Sequence, residues 1–208
     1  MGRPVIPASM TTPLGSHADP ITPARQSASA VRAIFLVGFM GAGKTSVGKV
    51  LGRRLGWAFE DLDSRIQARE RRTVEQIFRE SGEADFRRAE TEALRELLVD
   101  LGSAHRVVAL GGGAFVQPEN SALLEPPDLA SVFLDGPVEE LFRRCRKQDV
   151  DRPLRGTLEQ FQQLYQLRRP HYMKAAVYID TSGQDIEGVA SEVFRKVFGP
   201  QNDLRSGT

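Results

Sequence analysis

From Val31 onward the chain alternates short apolar runs with longer stretches whose apolar positions recur at helical spacing. Ala33-Ile34-Phe35-Leu36-Val37 is apolar throughout, the pattern of a strand buried on both faces of a parallel sheet. In the next stretch Val47, Val50, Leu51 and Leu55 fall on one helical face. Trp57-Ala58-Phe59 then runs into Glu60-Asp61-Leu62-Asp63 and reads as a second strand ending in acids. Thr73 and Gln76 form a capping box for a helix to about Glu80. Phe86, Ala89, Ala93, Leu94, Leu97, Leu98 and Leu101 make another helical stripe. Arg106 to Leu110 reads as a strand entering Gly111-Gly112-Gly113, and Ser131 to Leu134 as the next. Pro137 suits the first turn of the helix that follows. Val177-Tyr178-Ile179 is the last strand and Ile186 to Phe198 the last helix. This alternation predicts an α/β fold, a parallel sheet with helices on both faces. Ligands of such sheets bind outside the carboxyl ends of the strands, where the glycine-rich and acidic segments all fall.

Two stretches break the pattern. Residues 1–30 carry five prolines, many small polar residues and no apolar period, a composition expected to stay disordered. Arg3 and Arg25 against a single acid, Asp19, leave an organelle transit peptide open, and a later true start, at Met10 or another position, is a third reading. The polar run around Lys147 to Gly156 lies between helices and reads as a lid over about 147–158. Residues 31–199 are expected to form one domain, with a flexible tail over 200–208.

Charge and composition remove several classes. A net charge of +1 gives no bulk attraction to nucleic acid or membrane. The only cysteine is Cys145, which rules out an internal disulfide and a Cys-based zinc motif. It sits among Arg143, Arg144 and Arg146 and reads as an ordinary helix residue. His17, His105 and His171 are too scattered for a metal site. No apolar run approaches the roughly 20 residues that cross a bilayer. A reducing, cytoplasmic setting is expected.

The chemistry begins at Gly38-Phe39-Met40-Gly41-Ala42-Gly43-Lys44-Thr45, which matches the phosphate-loop pattern G-x-x-x-x-G-K-[ST] between a strand and a helix. Backbone N–H groups of such a loop face phosphate oxygens, and the helix dipole favours the same anion. Gly41, Ala42, Gly43, Lys44, Thr45 and Ser46 are the candidate ATP-binding residues. Lys44 would reach the β- and γ-phosphates, and the Thr45 hydroxyl would bind Mg²⁺. Asp61 and Asp63 are two apart; in an extended strand both would face the site, one serving Mg²⁺ and one an attacking hydroxyl. Arg87 and Arg168 are candidate forks for a planar carboxylate.

The chain resembles the shikimate kinases. The resemblance rests on Gly38 to Thr45, Asp61-Leu62-Asp63, Gly82-Glu83 with Phe86-Arg87 and Glu90, and Leu110 to Ala114. It continues in Pro118-Glu119-Asn120, Asp151-Arg152-Pro153-Leu154, Arg168 with Pro170 and Tyr172, and Asp180-Thr181. The resemblance implies a P-loop kinase-like three-layer fold with a central five-stranded parallel sheet and a mobile lid. It implies transfer of the ATP γ-phosphoryl group to the 3-hydroxyl of shikimate, with shikimate and ATP as the partners of a monomer. Asp63 would hold acceptor hydroxyls, as base or as orienting group. Arg87 and Arg168 would grip the acceptor carboxylate, and Gly112 would let it approach the backbone. Arg152 would be the lid arginine and Gln184 an adenine contact, while Thr45 and Asp61 would serve Mg²⁺. Leu154 is followed by Arg155 where the family usually has a second leucine. A P-loop kinase of gluconate or a nucleoside monophosphate is the nearest alternative. A nucleotide-sensing switch is the other, though the guanine-reading Asn-Lys-x-Asp motif is absent.

Overall fold

The computed structural model describes residues 31–147 and 157–199. The expected N-terminal extension, the C-terminal tail, most of the lid and Arg152 lie outside the described residues.

Five strands form the sheet: β1 (Ala33–Val37), β2 (Ala58–Asp61), β3 (Arg106–Ala109), β4 (Leu129–Asp135) and β5 (Val177–Asp180). All pair in parallel, in the order β2-β3-β1-β4-β5. The strand with the unbroken apolar run is central, and all five of its residues are buried. The edge strands β2 and β5 carry partly exposed residues, as one-sided cover requires. Register brings three chain exits to one level. Leu36 pairs with Ala109, and Ala109 pairs with Asp61. The chain after β1, after β2 and after β3 therefore leaves the sheet side by side.

The helices are α1 (Lys44–Leu55), α2 (Leu62–Glu70), α3 (Val74–Leu101), α4 (Pro118–Ala122), α5 (Val138–Lys147), α6 (Leu158–Tyr172) and α7 (Ile186–Phe198), with a 3₁₀ turn at Ala114–Val116. Val47, Val50 and Leu51 of α1 are buried, as their spacing predicts. Helices α1 and α7 are tied by Arg54, which donates to Ser191 Oγ at 2.7 Å and pairs with Glu187. The capping box at Thr73 and Gln76 is present. Helix α3 is broken at Gly82 (φ 80°, ψ 176°), which divides it into the two helical stretches that the pattern separates.

Two elements differ from expectation. β2 stops at Asp61, and Leu62 and Asp63 open α2, which the apolar pattern does not single out. Asp61 caps that helix: its Oδ1 accepts from the Asp63 backbone N–H at 3.1 Å. The strand reading, in which both acids share a face by alternation, is thus replaced by a cap and a first helical turn. Helix α6 is announced only by its own capping box, in which Thr157 and Gln160 exchange hydrogen bonds.

Candidate active site

The phosphate loop bridges β1 and α1. Gly41 has φ 81° and Gly43 φ 85°, the left-handed region that favours glycine, and a Cβ at Gly41 would lie 2.4 Å from the Leu141 carbonyl. Gly43 is the N-cap of α1 and provides no side-chain cap, so the first-turn N–H groups of Lys44, Thr45 and Ser46 face the loop. Lys44 Nζ donates to the carbonyls of Gly38 (2.9 Å) and Phe39 (3.0 Å), which holds its charge over the loop. Thr45 Oγ1 donates to Asp61 Oδ2 at 2.9 Å. A hydroxyl and a carboxylate, both hard oxygen donors, thereby meet beside the phosphate loop, a set that fits Mg²⁺ bound by few protein ligands and by phosphate.

One cleft is lined by Gly41, Gly43 to Ser46, Asp61, Asp63, Leu110, Gly111 and Gly112. It joins the loop to the acids and to the glycine run. The three glycines do different work. A Cβ at Gly111 would lie 2.6 Å from Asp63 Oδ1 and 2.9 Å from Glu90 Oε1. A Cβ at Gly113 would lie 2.3 Å from Arg87 Nη1. At Gly112 the nearest neighbours would be at 3.8 and 3.9 Å, ordinary contact. Gly111 and Gly113 thus make room for protein side chains, whereas Gly112 leaves space that the protein does not fill.

Two arginines flank this backbone from different helices. Arg87 of α3 pairs with Glu90 at 2.8 Å and with the exposed Glu83 at 3.0 Å, and packs over the Phe86 ring. Arg168 of α6 donates to the Gly112 carbonyl at 3.4 Å and lies 6.0 Å from the Phe39 ring centroid. The Tyr172 hydroxyl also donates to the Gly112 carbonyl. Burial pushes the Tyr172 phenol up to about 12, so it stays a donor. Helix α6 is anchored to the sheet by Asp135, the buried last residue of β4. Its carboxylate accepts from Tyr165 Oη (2.6 Å) and Arg169 Nε (3.0 Å).

The family model for shikimate kinase matches residues 40–198. The chain belongs to the shikimate kinase family. It is 42% identical to the shikimate kinase of Geobacter sulfurreducens over 165 residues, 78% of this chain and 88% of that protein. It is 34% identical to that of Persephonella marina over 167 residues, 80% of this chain and 99% of that protein. Among solved structures, a shikimate kinase from Acinetobacter baumannii in complex with shikimate matches with a TM-score of 0.74 and 34% identity, covering 84% and 96% of the two chains. A gluconokinase from Sinorhizobium meliloti shares the fold alone, at 22% identity and a TM-score of 0.52, over 79% and 90%.

In this shikimate kinase family member Gly41, Gly43 to Ser46, Asp61, Asp63 and Gly112 line one cleft, whereas Ala42 is buried beside it, and Arg87 and Arg168 lie against the glycine run. Gln184 stands apart from that lining. Its Nε2 donates to the Asp180 carbonyl (2.7 Å) and to Glu192 Oε2 (2.8 Å). Sequence reasoning gives no role to Glu90, Gln117, Tyr172 or Asp135. Glu90 had a signal: an acid inside the apolar stripe of α3, three residues after an arginine. Gln117 and Asp135 had none, because the side chains they bind, Glu90 for the one and Tyr165 and Arg169 for the other, are 27 or more residues away.

Proposed function

We propose that this chain is an ATP-dependent shikimate kinase that phosphorylates the 3-hydroxyl of shikimate, on the pathway to chorismate and aromatic amino acids. The observation that carries this is the glycine floor shared by a phosphate loop and two arginines. A phosphoryl donor and a small carboxylated polyol would meet over Gly112. Gly41 to Ser46 would hold the ATP phosphates, with Lys44 bringing positive charge to the transferring group. Mg²⁺, held by Thr45 and Asp61, would neutralise phosphate charge. Arg87 and Arg168 would grip the acceptor carboxylate as forks, and Gly112 would admit the acceptor to the backbone. Asp63 would orient the acceptor hydroxyl and accept its proton as the new O–P bond forms and the bond to ADP breaks. Arg152, on the lid, would close over the phosphates and help exclude water. Gln184 would reach adenine only after releasing the Asp180 carbonyl and Glu192.

The decisive experiment is a coupled assay of ADP release with shikimate, gluconate and nucleoside monophosphates as acceptors. Turnover is expected on shikimate. Turnover on gluconate without turnover on shikimate would refute the assignment, and no turnover on any acceptor would return the chain to the nucleotide-binding modules. We also propose a cytoplasmic monomer, by similarity to the family. Among the described residues no helix is long and apolar enough to cross a membrane.

A further inference from the structure

Glu90 is fully buried, yet only half of its carboxylate is satisfied. Its Oε2 accepts from Arg87 Nη1 at 2.8 Å and from Gln117 Nε2 at 2.7 Å. Its Oε1 has no hydrogen-bond partner. That oxygen and Asp63 Oδ1 crowd the same point above Gly111, at 2.9 and 2.6 Å from where a Cβ would stand. Two carboxylates therefore face one another beneath the acceptor side of the cleft. The charged and titratable groups around Glu90 come from three helices: Arg87 from α3, with Glu83 on its outer side; Asp63 from α2; Arg168 and Tyr172 from α6. Gln117 adds a neutral donor.

The charges do not leave room for another anion. With Glu90 ionised, the carboxylates of Asp63 and Glu90 offset the guanidinium charges of Arg87 and Arg168. An acceptor carboxylate landing on the two arginines would put a third negative charge into a poorly solvated pocket. A proton on Glu90 removes it. We propose that Glu90 takes up a proton on Oε1 when the acceptor carboxylate docks on Arg87 and Arg168, so that acceptor binding and protonation of Glu90 are one coupled event. This rests on the acceptor reading above. The proton comes from solvent. Once on Oε1 it is donated toward the Asp63 carboxylate, which steadies Asp63 for the acceptor hydroxyl, while Oε2 still accepts from Gln117. Glu90 is thus a positioning residue for both Arg87 and Asp63. Burial already pushes the Glu90 carboxyl up to about 7, with Arg87 pulling it down and the Asp63 charge adding to the rise.

The sign follows by linkage. The complex binds more protons than the free protein, so acceptor affinity falls as pH rises through and above the free-protein value of Glu90. The test is calorimetric titration of the full chain with shikimate, across a pH series and in two buffers of different ionisation enthalpy. The expected result is uptake approaching one proton at about pH 8, with Kd weakening about tenfold per pH unit on the alkaline side. Glu90→Gln, which keeps the shape and carries a permanent donor, is expected to bind shikimate with a flat pH profile and no proton uptake, with ADP affinity unchanged. A wild-type Kd that is flat with pH and independent of buffer would overturn the proposal, as would the wild-type slope persisting in Glu90→Gln. Should that variant not fold, difference infrared spectroscopy of the wild type decides. Shikimate is expected to bring in a protonated-carboxyl band, and absence of that band overturns the proposal. No shikimate binding at any pH would instead sink the acceptor reading.

Discussion

Alanine placed at each of the three adjacent glycines should give three different enzymes. None of Gly111, Gly112 and Gly113 has a left-handed backbone, so the effects are steric rather than conformational. In Gly113→Ala the new methyl would overlap all three terminal atoms of the Arg87 guanidinium, at 2.3 to 2.6 Å. Arg87 must swing away from Glu90, leaving that buried carboxylate without its cation. The loss of a charged hydrogen bond is worth about 1.5–3 kcal/mol, which is roughly 10- to 150-fold in shikimate Kd. Overpacking of this kind also costs about 1–3 kcal/mol of stability, and each 1 kcal/mol lowers the melting midpoint by about 2–4 °C in a domain of this size. Gly111→Ala presses on Asp63 and Glu90 and should lose both stability and turnover. Gly112→Ala meets only ordinary contacts, so its stability should hold to within about 0.5 kcal/mol while shikimate binding weakens. Differential scanning calorimetry and shikimate titration read the two effects separately. Wild-type Tm and wild-type Kd in Gly113→Ala, or wild-type Kd in Gly112→Ala, would refute this reading of the glycine floor.

The remaining predictions concern single groups. Asp63→Asn should lower kcat by about 10²–10⁴-fold with ATP binding intact, since the amide cannot take the hydroxyl proton; near-normal turnover would remove Asp63 from the reaction. Arg87→Ala should weaken shikimate binding by about 1.5–3 kcal/mol or more without changing ADP affinity, and an unaltered shikimate Kd would reject the carboxylate grip. Asp61→Asn should raise the Mg²⁺ concentration needed for half-maximal activity and spare shikimate affinity. An unshifted Mg²⁺ titration would deny Asp61 that role.

Local patterns made the phosphate loop between β1 and α1 legible. A phosphate loop is contiguous, so its glycines, lysine and threonine are legible wherever an apolar strand precedes and a helical stripe follows. The capping box at Thr73 is legible for the same reason, since both partners lie within one turn. Asp61 and Asp63 both line the cleft, but not through the strand alternation that their spacing suggested. Pleat alternation is a two-residue rule, and so is the Asp61 cap on the Asp63 N–H. Spacing does not separate a strand end from a helix start.

By itself, the sequence determined the α/β alternation, the five strands and the phosphate-loop motif, because each depends on neighbours in the chain. Tertiary structure alone decided how the acceptor side is built. Arg87 and Arg168 are on separate helices, and they converge only because the Gly111 to Gly113 backbone runs between them. Glu90 is a half-satisfied buried carboxylate only because α2, α3, α6 and that backbone close around it. Burial and charge coupling are sums over groups distant in sequence, and those sums exist only once the chain has packed.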